Sequence, residues 1–183
     1  MALSLVAVGL TCSLAGCTTV TEDEVTSNPT NSSIVSTETF TASPEEAQII
    51  ADAYKDIKTD LYGGKDITVF TEDANGMPKE EANKIILSEH PALSKISTQN
   101  LSVDEQWEFY YLQTTIAKKV SSVGGPSTFE VPINAIEFRK DYALVKGEKV
   151  TETHTESGKT NTLTRDTKFV KINGQWLQEA IIN

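Results

Sequence analysis

Cysteine, histidine and the acidic side chains are the groups in this 183-residue chain that could carry chemistry, and their spacing assembles little of it. His90 precedes Pro91 at the end of a helical pattern, where a cation complements the helix dipole. His154 stands between Thr153 and Thr155 in a strand-like run and reads as exposed. No Cys, His or carboxylate spacing joins the two into a metal site. Thr71-Glu72-Asp73-Ala74-Asn75-Gly76 puts Asp, Asn and Gly at the third, fifth and sixth positions of a calcium loop. Thr71 and Ala82, however, occupy the positions of its leading and bidentate acids, so the segment reads as a turn. Gly63-Gly64 and Gly124-Gly125 lack the following Lys-Ser/Thr of a phosphate loop and read as helix stops. A general base needs a carboxylate with a tuned pKa within reach of its substrate. Asp52, Asp56, Glu108, Glu137 and Asp141 all fall on solvent-facing phases instead. The residues taken singly predict no catalytic group, no metal and no cofactor.

Charge narrows the partners. Sixteen Lys and Arg against 26 Asp and Glu give a net charge of −10, which argues against nucleic acid as a ligand. Hydrophobic residues make up 38%, so part of the chain is expected to lie outside a core. Two cysteines exclude a disulfide-rich scaffold.

Residues 1–16 carry no charge, and the run Ala2-Leu3-Ser4-Leu5-Val6-Ala7-Val8-Gly9-Leu10 is apolar. Such a stretch falls short of the ~20 residues of a spanning helix and suits the apolar region of a secretion signal. Leu14-Ala15-Gly16-Cys17 follows it and resembles the lipobox of bacterial lipoproteins. Met1-Ala2-Leu3-Ser4 lacks the basic residue with which such signals open. The resemblance implies cleavage between Gly16 and Cys17, a diacylglyceryl group on the Cys17 thiol, and in many species an acylated amine. It implies a membrane partner through the lipid, in the cell membrane or outer membrane, facing the exported side. Cys12 would leave with the signal, so the mature chain would have no thiol free for catalysis or a disulfide.

Thirteen of the 26 residues from 18 to 43 are Ser or Thr, with four acids and no Lys or Arg. Too little apolar surface is present to offset ordering entropy, which predicts a disordered tether over 17–43 spanning roughly 30 Å.

From 44 to 183 the sequence reads as one globular α+β domain. Ser43-Pro44-Glu45-Glu46 is a capping-box pattern, and Ala47, Ile50, Ala51, Tyr54, Ile57 and Leu61 then recur at helical spacing. A second helix is predicted from about Pro78 to His90, with Ala82, Ile85 and Ile86 inward. Ser102-Val103-Asp104-Glu105 caps a third, whose inward face is expected to carry Val103, Trp107, Tyr110, Tyr111, Thr114, Ala117 and Val120. Alternation around Phe129, Val131 and Ile133, with Pro132 at an edge or bulge, begins the strands. Ile136 to Phe138 and Tyr142 to Val145 flank a turn, and Asn173-Gly174 joins a last hairpin. Three helices packed on one curved antiparallel sheet of four to five strands are expected.

That element order resembles the cone-shaped NTF2-like superfamily. The ending Lys168-Phe169-Val170-Lys171-Ile172-Asn173-Gly174-Gln175-Trp176-Leu177 is similar to the last hairpin common there. The resemblance implies a cone whose cavity Tyr54, Trp107, Tyr110, Tyr111 and Tyr142 would line, since some members use a Tyr with a carboxylate, or a His–Asp pair. The Thr-rich run from Thr151 to Thr167, with Glu152, Glu156, Lys159, Arg165 and Asp166, reads as a hairpin projecting past the core. It is the candidate ledge for a protein or glycan of the cell envelope. The expected function is therefore non-catalytic: a lipid-anchored domain that binds a partner or ligand. The alternative is a small-molecule binder or enzyme of the cone cavity.

Overall fold

A computed structural model describes residues 43–65 and 76–180. The Leu14-Ala15-Gly16-Cys17 motif, Cys12, the tether up to residue 42 and the turn at 71–75 lie outside the described residues.

Helix α1 spans Pro44–Tyr62, and Ser43 Oγ accepts the Glu46 N–H at 3.3 Å to cap it. The reciprocal half of the capping box is not made. Glu46 instead turns its carboxylate to Lys171 Nζ at 2.5 Å and to Trp176 Nε1 at 3.3 Å, tying the helix start to the last hairpin. Helix α2 spans Lys79–Glu89, and α3 spans Val103–Gly124. The α3 capping box is complete: Glu105 Oε2 accepts the Ser102 N–H at 2.7 Å, and Ser102 Oγ accepts the Glu105 N–H at 3.3 Å. Among the described residues no helix is long and apolar enough to cross a membrane.

The strands are β1 (Ile96–Ser97), β2 (Ser127–Glu130), β3 (Ile136–Phe138), β4 (Tyr142–Val145), β5 (Thr151–His154), β6 (Thr160–Thr162), β7 (Thr167–Ile172) and β8 (Gln175–Glu179). They form two sheets, not the single meander of four to five strands expected. One has the order β1-β8-β7-β4-β3, antiparallel except for the β1–β8 pair; the other is β2-β5-β6. Two breaks divide them. Pro132 lacks the N–H a strand would donate, and it opens a 3-10 turn directly after β2 rather than occupying an edge. Between β4 and β5 the chain crosses its own later course at Gly147, where a Cβ would lie 2.3 Å from the Arg165 carbonyl oxygen. Asp166 accepts the Gly147 N–H at 3.1 Å and pairs with Lys146, fixing that crossing. Asn173 and Gly174 have φ of 49° and 83°, the left-handed pair of a tight hairpin turn between β7 and β8.

Helix α1 carries the main helix contact with both sheets, while α3 packs on α1 and α2. Two cores result. Ile50, Tyr54, Ala143, Val145, Val150 and Phe169 fill the space between α1 and the sheets. Ile57, Leu61, Ile86, Leu93, Phe109, Tyr110 and Ala117 fill the space between the helices. The helices thus form a layer of their own outside α1, and do not lie side by side on a sheet.

Candidate functional site

The five residues expected to line one cavity are distributed over the molecule. Tyr54 is buried between α1 and the five-stranded sheet, its ring 6.4 Å from that of Phe169. Tyr110 belongs to the inter-helix core, packed edge-on to Phe109, with its hydroxyl 3.4 Å from Thr98 Oγ1. Tyr142 alternates with the buried Ala143 along β4, so it faces away from the core, with Lys168 Nζ 5.2 Å from its ring. Trp107 and Tyr111 are one helical turn apart and stack at 5.2 Å and 8°. Lys79 Nζ lies 5.1 Å over the indole. These positions do not converge on one site.

Beneath the sheets the structure assembles a polar cluster that alternation alone did not reveal. Tyr54, Lys58 and Tyr62 stand four residues apart on one stripe of α1, and the Lys58 ammonium lies 5.4 and 5.5 Å from the two rings. Tyr62 packs on Phe129, whose register partner on β5 is Glu152. Burial pushes the Tyr54 hydroxyl up to about 12, a hydrogen bond with Thr167 opposing it and the charge of Glu152 adding to it. Tyr62 is raised for the same two reasons, burial first. Burial lowers Lys58, and Glu152 partly offsets this. The spacing Tyr-x₃-Lys-x₃-Tyr was the available signal.

His90 is likewise inside. It occupies the α2 C-cap position as expected, and it is fully buried there. Its Nδ1 is 3.4 Å from Asp60 Oδ1. Asp60 also accepts from Lys65 Nζ at 2.7 Å and from the Ala92 N–H at 2.9 Å. The carboxylate binds the end of α1 to the turn after α2. His154 is half-buried rather than exposed, 3.1 Å from Ser127 Oγ. The Thr-rich segment forms a hairpin as expected, and through the pairing of β5 with β2 that hairpin completes the three-stranded sheet. Among the described residues no group of three or more His, Cys, Asp or Glu is placed to hold a metal.

The surface feature that stands out is the outer face of α3. Leu112, Ile116, Val120 and Val123 are 40%, 48%, 37% and 86% exposed. At ~100° per residue they share an arc of about 80°. Val103 and Val120, expected inward, belong to the exposed set, and Phe109, not expected inward, is buried. The helix turns Trp107, Tyr110, Thr114 and Ala117 to α1 and α2 and leaves a second apolar stripe to solvent. An open groove of about 480 Å³ lies at the N-terminal end of the stripe, lined by Lys79, Asp104, Trp107, Glu108, Tyr111 and Leu112 among others. Asp104, Glu105 and Glu108 make the first half of α3 acidic, and Lys118 and Lys119 make the second half basic. Such a contiguous patch is the ordinary mark of an interaction surface.

No family model, no curated protein and no solved structure matches this chain.

Proposed function

We propose that this chain is an exported protein, lipid-anchored through Cys17, whose NTF2-like domain is displayed on a flexible tether and binds another protein through the outer face of α3. The anchor rests on Leu14-Ala15-Gly16-Cys17 following an apolar run. The binding role rests on one observation: the stripe Leu112, Ile116, Val120 and Val123 is exposed in a domain whose residues expected around a cavity are divided between separate cores and surfaces. A cavity enzyme would need its acid, base and substrate space together. Tyr54 here is packed around by Phe169, Val145 and Val150, and Tyr110 belongs to the other core.

Two measurements test this reading. A photo-reactive amino acid in place of Ile116 in the full chain, expressed in bacterial membranes, is expected to give an adduct with a protein on irradiation. Absence of any adduct removes the interaction face. Metabolic labelling with a fatty-acid analogue is expected to mark the parent chain and not the Cys17→Ser chain. Labelling that persists in Cys17→Ser removes the lipobox assignment.

A further inference from the structure

We infer that the occupant of the α3 stripe is a second copy of this chain, its α3 antiparallel to the first about a two-fold axis near Thr114. The inference rests on the reading of α3 as an interaction face and names the partner.

The argument is one of self-complementarity. A two-fold interface pairs each residue with one at the mirrored position, so the same patch must fit itself. With the axis near residue 114, Leu112 of one copy faces Ile116 of the other, and the reverse. This places two exposed aliphatic side chains from each helix at the centre. In an antiparallel helix pair the same flank of each helix meets across the seam. Glu108 and Lys119 are eleven residues apart in sequence. They therefore lie within ~20° of each other around the helix, on one flank of the stripe. Their mirrored positions coincide about the same axis to within half a residue, so Glu108 of each copy meets Lys119 of the other, twice. Both side chains are exposed, and neither has an ion-pair partner among the described residues. A parallel two-fold pairing would instead set that flank against the opposite flank of the other helix, so Glu108 and Lys119 would not meet across the seam. The acidic first half and basic second half also complement the helix dipole, but the dipole does not require the two charges to share the flank of an apolar stripe.

The 22-residue α3 is ~33 Å long, so a single helix pair stands at the low end of stable interface areas. Association in solution is then expected to be weak, on the order of 10–100 μM, and favoured where a tether concentrates the copies on one surface.

The test is thiol cross-linking of the full chain in membranes with a bis-maleimide of short reach, against the parent, whose only thiols are Cys12 and Cys17. Two Ile116 positions are offset by four residues along the seam, ~6 Å, and two Val123 positions by eighteen, ~27 Å. Ile116→Cys is expected to give a band of twice the chain mass, and Val123→Cys is expected to stay at the parent's background. Adding Glu108→Lys to Ile116→Cys should lower the dimer yield ~10-fold, and adding Lys119→Glu as well should restore it. No Ile116→Cys dimer, or equal yields from Ile116→Cys and Val123→Cys, overturns the antiparallel pair. So does a charge swap that its reciprocal fails to rescue. If the photo-probe at Ile116 captures a different protein and no dimer forms, the second copy is excluded while the interaction face stands. If it captures nothing, both fall.

Discussion

Helix α1 half-buries a lysine between two tyrosines, and helix α3 leaves four aliphatic side chains in water. The contrast follows from position in the layers rather than from composition. Helix α1 lies between the two sheets and the other helices, so along its stripe Tyr54 is buried and Lys58 and Tyr62 are half-buried. The lysine is held by two aromatic faces, which offset part of the cost of removing an ammonium from water. Helix α3 has neighbours on one side only. Trp107, Phe109, Tyr110, Thr114 and Ala117 are buried, and Leu112, Ile116, Val120 and Val123 stay exposed. A polar group inside is a cost already offset by its surroundings. An apolar stripe outside is a gain not yet taken, worth roughly 25 cal/mol for each Å² a partner would cover.

The inward half of α3 should break most visibly. Trp107 is buried, stacked on Tyr111 and covered by Lys79. Trp107→Ala is expected to cost about 3–5 kcal/mol, as for a large buried aromatic. Chemical denaturation of parent and variant measures it. A loss under 1 kcal/mol would mean that α3 is rotated from the phase described.

The two helices also differ in how far they could be read in advance. The whole buried set expected for α1, Ala47, Ile50, Ala51, Tyr54, Ile57 and Leu61, is found inside, because a helix enclosed on several sides tolerates errors of phase. For α3 the broad apolar arc merged two stripes. Trp107, Tyr110, Thr114 and Ala117 face inward as expected, but Val120 lies with the outer one and Val103 is exposed at the start of the helix. Periodicity reports that a position is apolar, not which neighbour will cover it. The sheets show the same boundary. The turns at Arg139 and at Asn173-Gly174 are local and were legible. The division into two sheets depends on a contact of Gly147 with Arg165, far along the chain, which no local pattern encodes. The candidate cavity failed for that reason too, since convergence of Tyr54, Tyr110, Tyr111 and Tyr142 is a tertiary property. His90 meets Asp60 across such a distance, and its place before Pro91 announces the cap but not that contact.

The buried stripe of α1 sharpens the contrast through pH. A Tyr ionises near 10 in the unfolded chain but stays neutral in the fold until about 12 at Tyr54. Between these values the unfolded state holds fewer protons than the folded one, so stability falls as pH rises through that window. The loss due to Tyr54 is expected to reach about 2–3 kcal/mol by pH 12. Tyr62 acts in the same direction. Lys58 acts in the opposite one: its lowered pKa makes the fold release a proton first, so that contribution rises with pH up to the unfolded value near 10.5 and is then constant. The comparison is therefore best made above pH 10.5, between parent and Tyr54→Phe in urea titrations. Tyr54→Phe is expected to flatten the slope. Parallel curves for the two proteins would show that Tyr54 titrates as freely in the fold as outside it.

The outer face of α3 should respond least in the isolated domain and most as concentration rises. Ile116 and Glu108 are exposed, and changes at such positions usually stay within ~0.5 kcal/mol. Ile116→Asp and Glu108→Lys are accordingly expected to melt with the parent at sub-micromolar concentration. A stripe that closes on a second copy adds linkage: whatever binds only the folded state raises its apparent stability with concentration. The parent melting temperature should then climb between micromolar and millimolar protein, while that of Ile116→Asp stays level. Glu108→Lys should climb less than the parent, and Glu108→Lys with Lys119→Glu should climb with it again. Because α1 buries Tyr54 inside the domain, Tyr54→Phe should shift the parent curve by the same amount at every concentration. A Tyr54→Phe shift that itself changed with concentration would mean that the two stripes are coupled, and that the inner and outer faces of this domain are not the separate devices their packing describes.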